Sequence, residues 1–552
     1  MSARCGRRAA ASVAETGPAA ARGDAKGAEA RDVEGALGLP AARWALVAVA
    51  LHLVLGLLLY DPTLFPGGDN AEYMILGESL RTGSGYRDIH LVGSPLHTKY
   101  PPVFPLLLAA LGWLGGVQLF KLVSLALTAG SVWLVFALGR QIVGERTAFL
   151  AAGLLAVSPL LLEYSHYVLS EALFTLLVLA ALLARGSENP AGRRAAVAAG
   201  AAAFLTRSAG LSLLAALAIH PLLLRRRREA AASLLAALLI LVGWGLFQRL
   251  GPPGQPGYVE QLLLVNPYEP QLGQVGPAGL LARAASNLWL YVSAVLPQSL
   301  GIGGGPGPFA ANPLVVLFGA VAAGLALSGW LREATRGITL TGLFTLFYLG
   351  LITLWPSVWT DRRFLLPVLP ILLLYLLDGV GALGSWALRR WSFWWPAGAF
   401  VGLAVPAILS AGRLIPGRVE CVRSYRAGAP CDPPGMASFY AAARWASQNT
   451  PPGAVIANRK PDLFFLFARR QGGLYRFSAE PAVVLRGLEE LGASYVVVDQ
   501  ISLTTDRYLI PTIRMYRDRF EPVYSGGDPP TLILRFEGNP LTAAARAGTG
   551  AP

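Results

Sequence analysis

Eleven apolar runs punctuate the chain, at 44–60, 118–139, 147–163, 171–185, 195–206, 210–224, 231–249, 312–330, 338–355, 364–386 and 393–411. A hydrocarbon core of about 30 Å takes about 20 helical residues to cross. Inside it only helices or closed barrels satisfy their own backbone. The expected fold is therefore an all-α polytopic membrane protein with about 11 transmembrane helices. Composition agrees, with 54% hydrophobic and 14% charged residues against about 25% charged in soluble domains. That balance excludes a water-soluble enzyme of this size.

The net charge of +14 does not signal nucleic acid, and no nucleic-acid partner is expected. The arginines fall in short clusters between apolar runs, and no basic helix or aromatic-basic sheet motif accompanies them. Arg140/Arg146, Arg185/Arg193/Arg194, Arg225 to Arg228, Arg332/Arg336 and Arg389/Arg390 occupy every second connection. The positive-inside rule then places these connections in the cytoplasm together with the N-terminus. The connections 61–117, 164–170, 207–209, 250–311 and 356–363 face outward, as does the C-terminus. The run Val103 to Gly115 is too short to cross and reads as a helix dipping in from the outer side.

Residues 1–43 are rich in Ala, Gly and Arg without an apolar period, and read as a disordered cytoplasmic tail. No apolar segment with a cleavage site precedes Trp44, so the first run is expected to act as an uncleaved anchor. Residues 44–411 form the transmembrane domain, with 61–117 as its first outer loop. A linker follows at 412–435. It holds Cys421 and Cys431, whose position outside the membrane favours a disulfide over two free thiols. Residues 436–540 have soluble composition. Strand-like 455–457, 495–498 and 531–534 alternate with helical 437–448, 461–470, 481–491 and 506–519, which suggests a small extracytoplasmic α/β domain. Residues 541–552 read as a disordered tail.

Polar groups gathered at one face of a membrane bundle are the first candidates for chemistry. On the outer face these include Asp69, Glu72, Asp88, His97, Lys99, His166, Glu171, Arg207, Arg362 and Arg363. Asp69, Glu72 and Tyr73 fall within one helical turn and share a face. Helical spacing alone would also fit a solvated acidic cap. The loop continues with Gly83-Ser84-Gly85-Tyr86 and then Lys99-Tyr100-Pro101-Pro102-Val103-Phe104-Pro105.

This order resembles the C-superfamily membrane glycosyltransferases. The nearest groups are the protein O-mannosyltransferases of glycosyltransferase family 39 and the bacterial aminoarabinose transferases. Ser170-Glu171-Ala172-Leu173-Phe174, Thr206-Arg207-Ser208 with Gly210, and Arg362-Arg363-Phe364-Leu365-Leu366-Pro367 add to it. So do Ala443-Arg444-Trp445-Ala446 through Asn449-Thr450-Pro451-Pro452, and Lys460-Pro461. The likeness spans about 44–540. It implies transfer of a sugar from a polyprenyl-phosphate donor to a hydroxyl or amine acceptor on a lipid, glycan or protein. The transfer takes place at the outer face of the inner or plasma membrane, with inversion at the anomeric carbon.

Asp69 is the expected base, with Glu72 as a second carboxylate or a bystander. Asn70 stands where the family usually has an acid next to the Asp. Lys99, Arg207, Arg362 and Arg363 are expected to bind the donor phosphate, and Tyr73, His97, His166 and Glu171 to line the acceptor site or cavity. Glu171 equally suits a helix N-terminus. No cofactor is called for. Relatives with an Asp-x-Asp pair often bind a divalent metal, but the ligand spacing here supports no metal site. A transporter or lipid-sugar flippase is the alternative; it would need mid-span charges and paired repeats, and neither is present. A receptor built on the outer domain is the third reading.

Overall fold

The computed structural model describes residues 41–186, 189–252, 257–303, 312–387, 394–429 and 431–538. The tails, Cys5 and the Arg389/Arg390 pair lie outside the described residues. The bundle contains α1 (Ala41–Leu58), α2 (Asn70–Arg81), α3 (Val103–Leu111), α4 (Val117–Ile142), α5 (Glu145–Val157), α6 (Pro159–Tyr164), α7 (Glu171–Arg185), α8 (Pro190–Phe204) and α9 (Leu211–Leu223). It continues with α10 (Arg227–Gln248), α11 (Pro277–Ser299), α12 (Pro313–Arg336), α13 (Leu340–Leu354), α14 (Leu369–Ala387) and α15 (Trp394–Arg426). Among the described residues, six helices are long and apolar enough to cross a membrane: α4, α10, α11, α12, α14 and α15. Shorter apolar helices cover Arg43–Leu58, Ser208–Leu223 and Leu340–Leu354. Leucines on the flanks of α10 and α12 stay exposed, such as Leu239 at 66% and Leu317 at 60%, as a lipid-facing surface requires.

The arginine-bearing connections meet in space. Arg185 and Arg193 both pair with Glu229, at 2.9 and 3.3 Å, and Arg336 donates to the Ile142 carbonyl at 3.3 Å. One end of the bundle thus collects the arginines and the opposite end carries the first loop.

The expected run 147–163 is broken at Ser158-Pro159 into α5 and α6, because proline removes the backbone donor and sterically favours a fresh helix start. A larger departure is α11, which lies inside what reads in the sequence as a plain connection. It is long enough to span, yet Asn287 donates to the Thr353 and Trp355 carbonyls at 2.8 Å, at the loop end of α13. Its last residue, Ser299, accepts a 2.8 Å bond from Ser158, at the loop end of α5. The stretch of α11 from Asn287 to Ser299 is thus held at the loop end of the bundle. A π turn at Tyr291–Val295 precedes Pro297. Gly319 of α12 lies against the Val292 carbonyl, where a Cβ would collide.

Helix α15 also overruns its expected end. It continues through residues expected as linker, up to Arg426, and Cys421 on its last turns is joined to Cys431, with Cα atoms 5.3 Å apart. The linker thus shrinks to the few residues before α16 (Pro434–Asn449). There follow β1 (Ile456–Ala457), α17 (Pro461–Ala468), β2 (Gly472–Gly473), α18 (Pro481–Leu491), β3 (Tyr495–Val498), β4 (Phe520–Gly526) and β5 (Thr531–Phe536). The sheet order is β2-β1-β3-β5-β4, parallel between β2, β1 and β3 and antiparallel from β3 onward. The short β2 and the β4 hairpin strand escape a reading by apolar alternation: β2 is two glycines, and β4 buries only Phe520.

The Cys421–Cys431 bridge closes a loop of ten residues, for which chain-entropy estimates give roughly 2–3 kcal/mol. Unreduced mass spectrometry of a digest should recover the two cysteines in one cross-linked peptide. Cys421→Ser should lower the melting temperature of the purified protein.

Candidate active site

The site is assembled at the loop end from four separate stretches of chain. Gly68 adopts a φ of +63°, a left-handed conformation that favours glycine. A Cβ there would also come within 3.2 Å of the Arg363 guanidinium. The turn at Gly68 delivers Asp69 to the start of α2. Asp69 does not cap the helix, since its side chain makes no capping bond. Instead Oδ1 accepts a 2.7 Å hydrogen bond from the Tyr100 hydroxyl, and Oδ2 faces Arg363 at 3.4 Å.

Glu171, 1% exposed, pairs with Arg207 at 2.7 Å and with Arg363 at 3.8 Å. Arg207 also donates to the Ser170 hydroxyl at 2.9 Å. That hydroxyl in turn meets Tyr73 at 3.0 Å. Both guanidinium groups stack over Phe364, at 5.8 and 5.1 Å. Glu171 is therefore neither a bare helix-terminal charge nor a free acceptor group: it anchors the two arginines. Lys99 lies over the Tyr100 ring at 4.7 Å. Asn70 turns inward and donates to the Phe65 carbonyl at 2.9 Å, so its amide ties the loop where an acid is usual.

The two first-loop carboxylates sit in different electrostatic environments. Burial would raise the pKa of Asp69, but Arg363, Lys99 and the Tyr100 hydrogen bond outweigh it and hold the group below its ordinary value. Asp69 is a carboxylate at neutral pH. Burial pushes Glu72 up to about 7, with Lys99 and His97 opposing and Asp88 and Asp69 adding to the rise. Two carboxyls with pKa values driven apart are the usual mark of divided roles.

Glu72, Asp88 and His97 bring ligand atoms within 4.8 Å of one another, a constellation that spacing in the sequence conceals. Its chemistry does not fit a metal ion. His97 Nε2 accepts a 2.8 Å hydrogen bond from the Tyr100 amide, so the neutral ring carries its proton on Nδ1. That proton goes to Asp88, 2.8 Å away, which leaves no ring lone pair for a metal. His97 stacks on Tyr100 at 5.2 Å and so braces the residue that holds Asp69.

Not every expected site residue converges. Arg362 and Arg363 are neighbours in a 3₁₀ turn capped by Asp361, where successive side chains diverge by about 120°. Arg363 enters the Asp69 cluster. Arg362 leaves it and pairs with Glu163 at 2.6 Å. His166 is likewise displaced from Asp69. Nearby, the ammonium of Lys121 is buried and donates to the Asp61 and Thr63 carbonyls.

Two cavities follow from this divergence. One, of about 300 Å³, is lined by Asp69, Tyr73, Lys99, Arg207, Trp355 and Arg363 among others. The other, of about 1110 Å³, takes in Glu163, His166, Arg362, Arg413 and Arg418 above an apolar wall that includes Leu409. Tyr100, absent from the expected site, lines the smaller one, and Ser170, also absent, holds its lining residues Arg207 and Tyr73; the Lys-Tyr-Pro-Pro motif and the Ser-Glu pair were the signals that could have found them.

The α/β domain grips the same loop. The Gly472 amide donates to the His90 carbonyl at 2.9 Å, a bridge that extends the sheet edge at β2. Arg469 pairs with Glu78 of α2 at 2.7 Å.

The fold is similar to that of membrane glycosyltransferases of known structure. ArnT from Cupriavidus metallidurans bound to undecaprenyl phosphate is 16% identical with a TM-score of 0.53, over 90% of this chain and 98% of that one. The Archaeoglobus fulgidus oligosaccharyltransferase AglB, in complex with an inhibitory peptide and a dolichol-phosphate, is 13% identical with a TM-score of 0.52, over 87% and 73% of the two chains. More particularly, residues 99–247 match the family described as Dolichyl-phosphate-mannose-protein mannosyltransferase. Curated protein sequences give no significant match.

Glu72 offers a pH test. Its folded pKa of about 7 lies above the unfolded value of about 4.3, so the folded state holds a proton that the unfolded chain releases between these values. Stability from this group is present at low pH and is lost as pH rises through that window. Wild-type protein should lose more of its melting temperature between pH 5 and pH 7.5 than Glu72→Gln, which cannot titrate. Parallel pH profiles would show that Glu72 is not buried as a neutral acid.

Proposed function

We propose that this protein is a glycosyltransferase that moves a sugar from a polyprenyl-phosphate donor to a hydroxyl acceptor at the outer face of the membrane, with Asp69 as the base. The observation that carries the reading is the state of Asp69: ionised, unused as a helix cap, and open to a cavity walled by cations and aromatics. Lys99, Arg207 and Arg363 suit the phosphate of the donor, because a phosphate leaving group needs positive charge more than a general acid. The aromatic and aliphatic wall, with Trp355, Trp359 and Leu351, suits the first isoprene units.

In the step itself the acceptor oxygen bonds to the anomeric carbon from the face opposite the phosphate. The bond from that carbon to the phosphate oxygen breaks, and its electron pair leaves on the phosphate. The acceptor proton passes to Asp69. A hydroxyl attacking an oxocarbenium-like carbon becomes strongly acidic as the bond forms, so a base of low pKa suffices. Tyr100 fixes one Asp69 oxygen, and the long 3.4 Å contact to Arg363 leaves the other available.

The larger cavity, with Arg362, Glu163 and His166, is our candidate for the acceptor. Placing the loop end outside the cell follows from the arginines gathered at the other end. The flippase reading is disfavoured because these ion pairs sit at the two ends of the bundle, each charge held by a fixed partner.

Asp69→Asn keeps the shape of the side chain and removes the proton acceptor. General-base catalysis is worth about 10²–10⁴-fold, so turnover by the purified protein in lipid should fall by that range while donor affinity holds. Arg363→Ala should weaken binding of a polyprenyl-phosphate donor at least tenfold. Arg362→Ala should leave donor binding intact and raise the KM for acceptor. Near-wild-type turnover in Asp69→Asn would remove this carboxylate from the base's role. Cysteines placed at 225–230 should react with an impermeant label only after cells are opened.

A further inference from the structure

The small α/β domain contains polar groups that neither the transfer step nor the docking on the first loop uses. In an open sheet with parallel strands, ligands favour the crevice where neighbouring strands send their chains in opposite directions. Here that point lies between β1 and β3. From β1 the chain leaves through α17 toward β2 on one side; from β3 it leaves through residues 505–519 toward β4 on the other.

The strand exits at this crevice are Asn458, Arg459 and Lys460 after β1, and Asp499 and Gln500 after β3. Asp499 is 1% exposed. Its Oδ1 is committed, accepting from the Ile501 amide and the Thr505 hydroxyl, each at 3.2 Å. Thr505 is held in turn by Tyr475 at 3.0 Å. Oδ2 is buried and has no partner, and the same is true of Arg459 Nε. Buried polar atoms are paired as a rule, yet two neighbouring strand ends here hold one unmet acceptor and one unmet donor. The two groups feel each other: burial pushes Asp499 up to about 6 while Arg459 pulls it down. Beside them Arg459 lies over Phe477 at 5.1 Å, and Phe477 stacks on Tyr508 at 5.7 Å while remaining 43% exposed.

We propose that this crevice is a binding site for a neutral oligosaccharide, with Asp499 Oδ2 accepting from a sugar hydroxyl, Arg459 Nε donating to one, and the Phe477–Tyr508 stack meeting the sugar's C–H face. A hydroxyl both donates and accepts, so one pair of adjacent sugar hydroxyls answers both unmet atoms. The charges at the exits, Arg459 and Lys460 against Asp499 and Asp462, nearly cancel and give an anion no net attraction. The site is separate from the Asp69 cavity, so it would hold a glycan beside the transferase centre without taking part in the bond change. It does not depend on the assignment of Asp69.

Saturation-transfer NMR on the full-length protein in nanodiscs, with mannotriose, galactotriose and arabinotriose as probes, tests this. At least one trisaccharide should bind wild-type protein and Asp69→Asn alike. Asp499→Asn, which keeps the Oδ1 acceptor and changes only the second atom, should lower that affinity at least tenfold. Arg459→Lys, which removes Nε but keeps the charge, should do the same. Melting temperatures within a few degrees of wild type would exclude misfolding, and Phe477→Ala, at an exposed position, gives a third variant expected to lose binding. The proposal fails if no trisaccharide binds, if all three variants bind as wild type does, or if inorganic phosphate displaces the sugar.

Discussion

The structure depends on one buried charge network: Glu171 between Arg207 and Arg363, and Arg363 between Glu171 and Asp69. Charges taken out of water must be paired, and removal of one partner strands the others. These four residues come from the first loop, the start of α7, the turn before α9 and the turn before α14. None of those segments can shift alone without leaving a buried charge uncompensated. The network therefore fixes the loop end of the bundle, while the packing of apolar helices fixes the rest.

The adjacency of Arg362 and Arg363 shows how one turn divides that end into two compartments. A pair of arginines on an extended loop could serve one phosphate together. Set in a 3₁₀ turn with Asp361 capping it, they point apart, and each finds a different carboxylate, Glu163 or Glu171. The separation creates two cavities with their own cations. A reaction between two substrates needs such a division, because donor and acceptor must be held apart until their reacting atoms are aligned.

Membrane character, the arginine alternation, the first-loop motif and the α/β domain were legible because each rests on local composition or spacing. Asp69, Lys99, Arg207, Arg363 and Tyr73, expected at the outer face in separate roles, line one cavity. The misplacement of Arg362 and the overlooked Tyr100 have one cause: side-chain direction within a turn is set by tertiary contacts, and residue order does not carry it. Helix α11 was hidden because its polar Arg283, Asn287 and Ser299 break an apolar run; the first two find carbonyl partners on other segments, and Ser299 bonds back to Val295 of its own helix. The Glu72–His97–Asp88 cluster was hidden for the opposite reason. Its three residues are scattered over 26 positions of loop, and only the fold closes them up.

The domain that follows the bundle acquires a mechanical meaning from its contacts. A loop as long as 61–102 would lose much of its precision if only its ends were anchored. Here the loop is held from both sides. From below, Asp69 engages Arg363 of the bundle, and Tyr100 donates to Asp69. From above, His90 adds its carbonyl to the edge of β2, Gln471 donates to the Ile89 carbonyl and to Ser94, and Arg469 clasps Glu78. Catalytic groups act well only when held within a fraction of an ångström, and a polar loop at a membrane surface cannot gain that order from lipid. A soluble domain with an open sheet edge can supply it, since an unpaired strand edge is a ready template for another segment. The edge that could have led to aggregation is thereby used to hold the loop that carries Asp69.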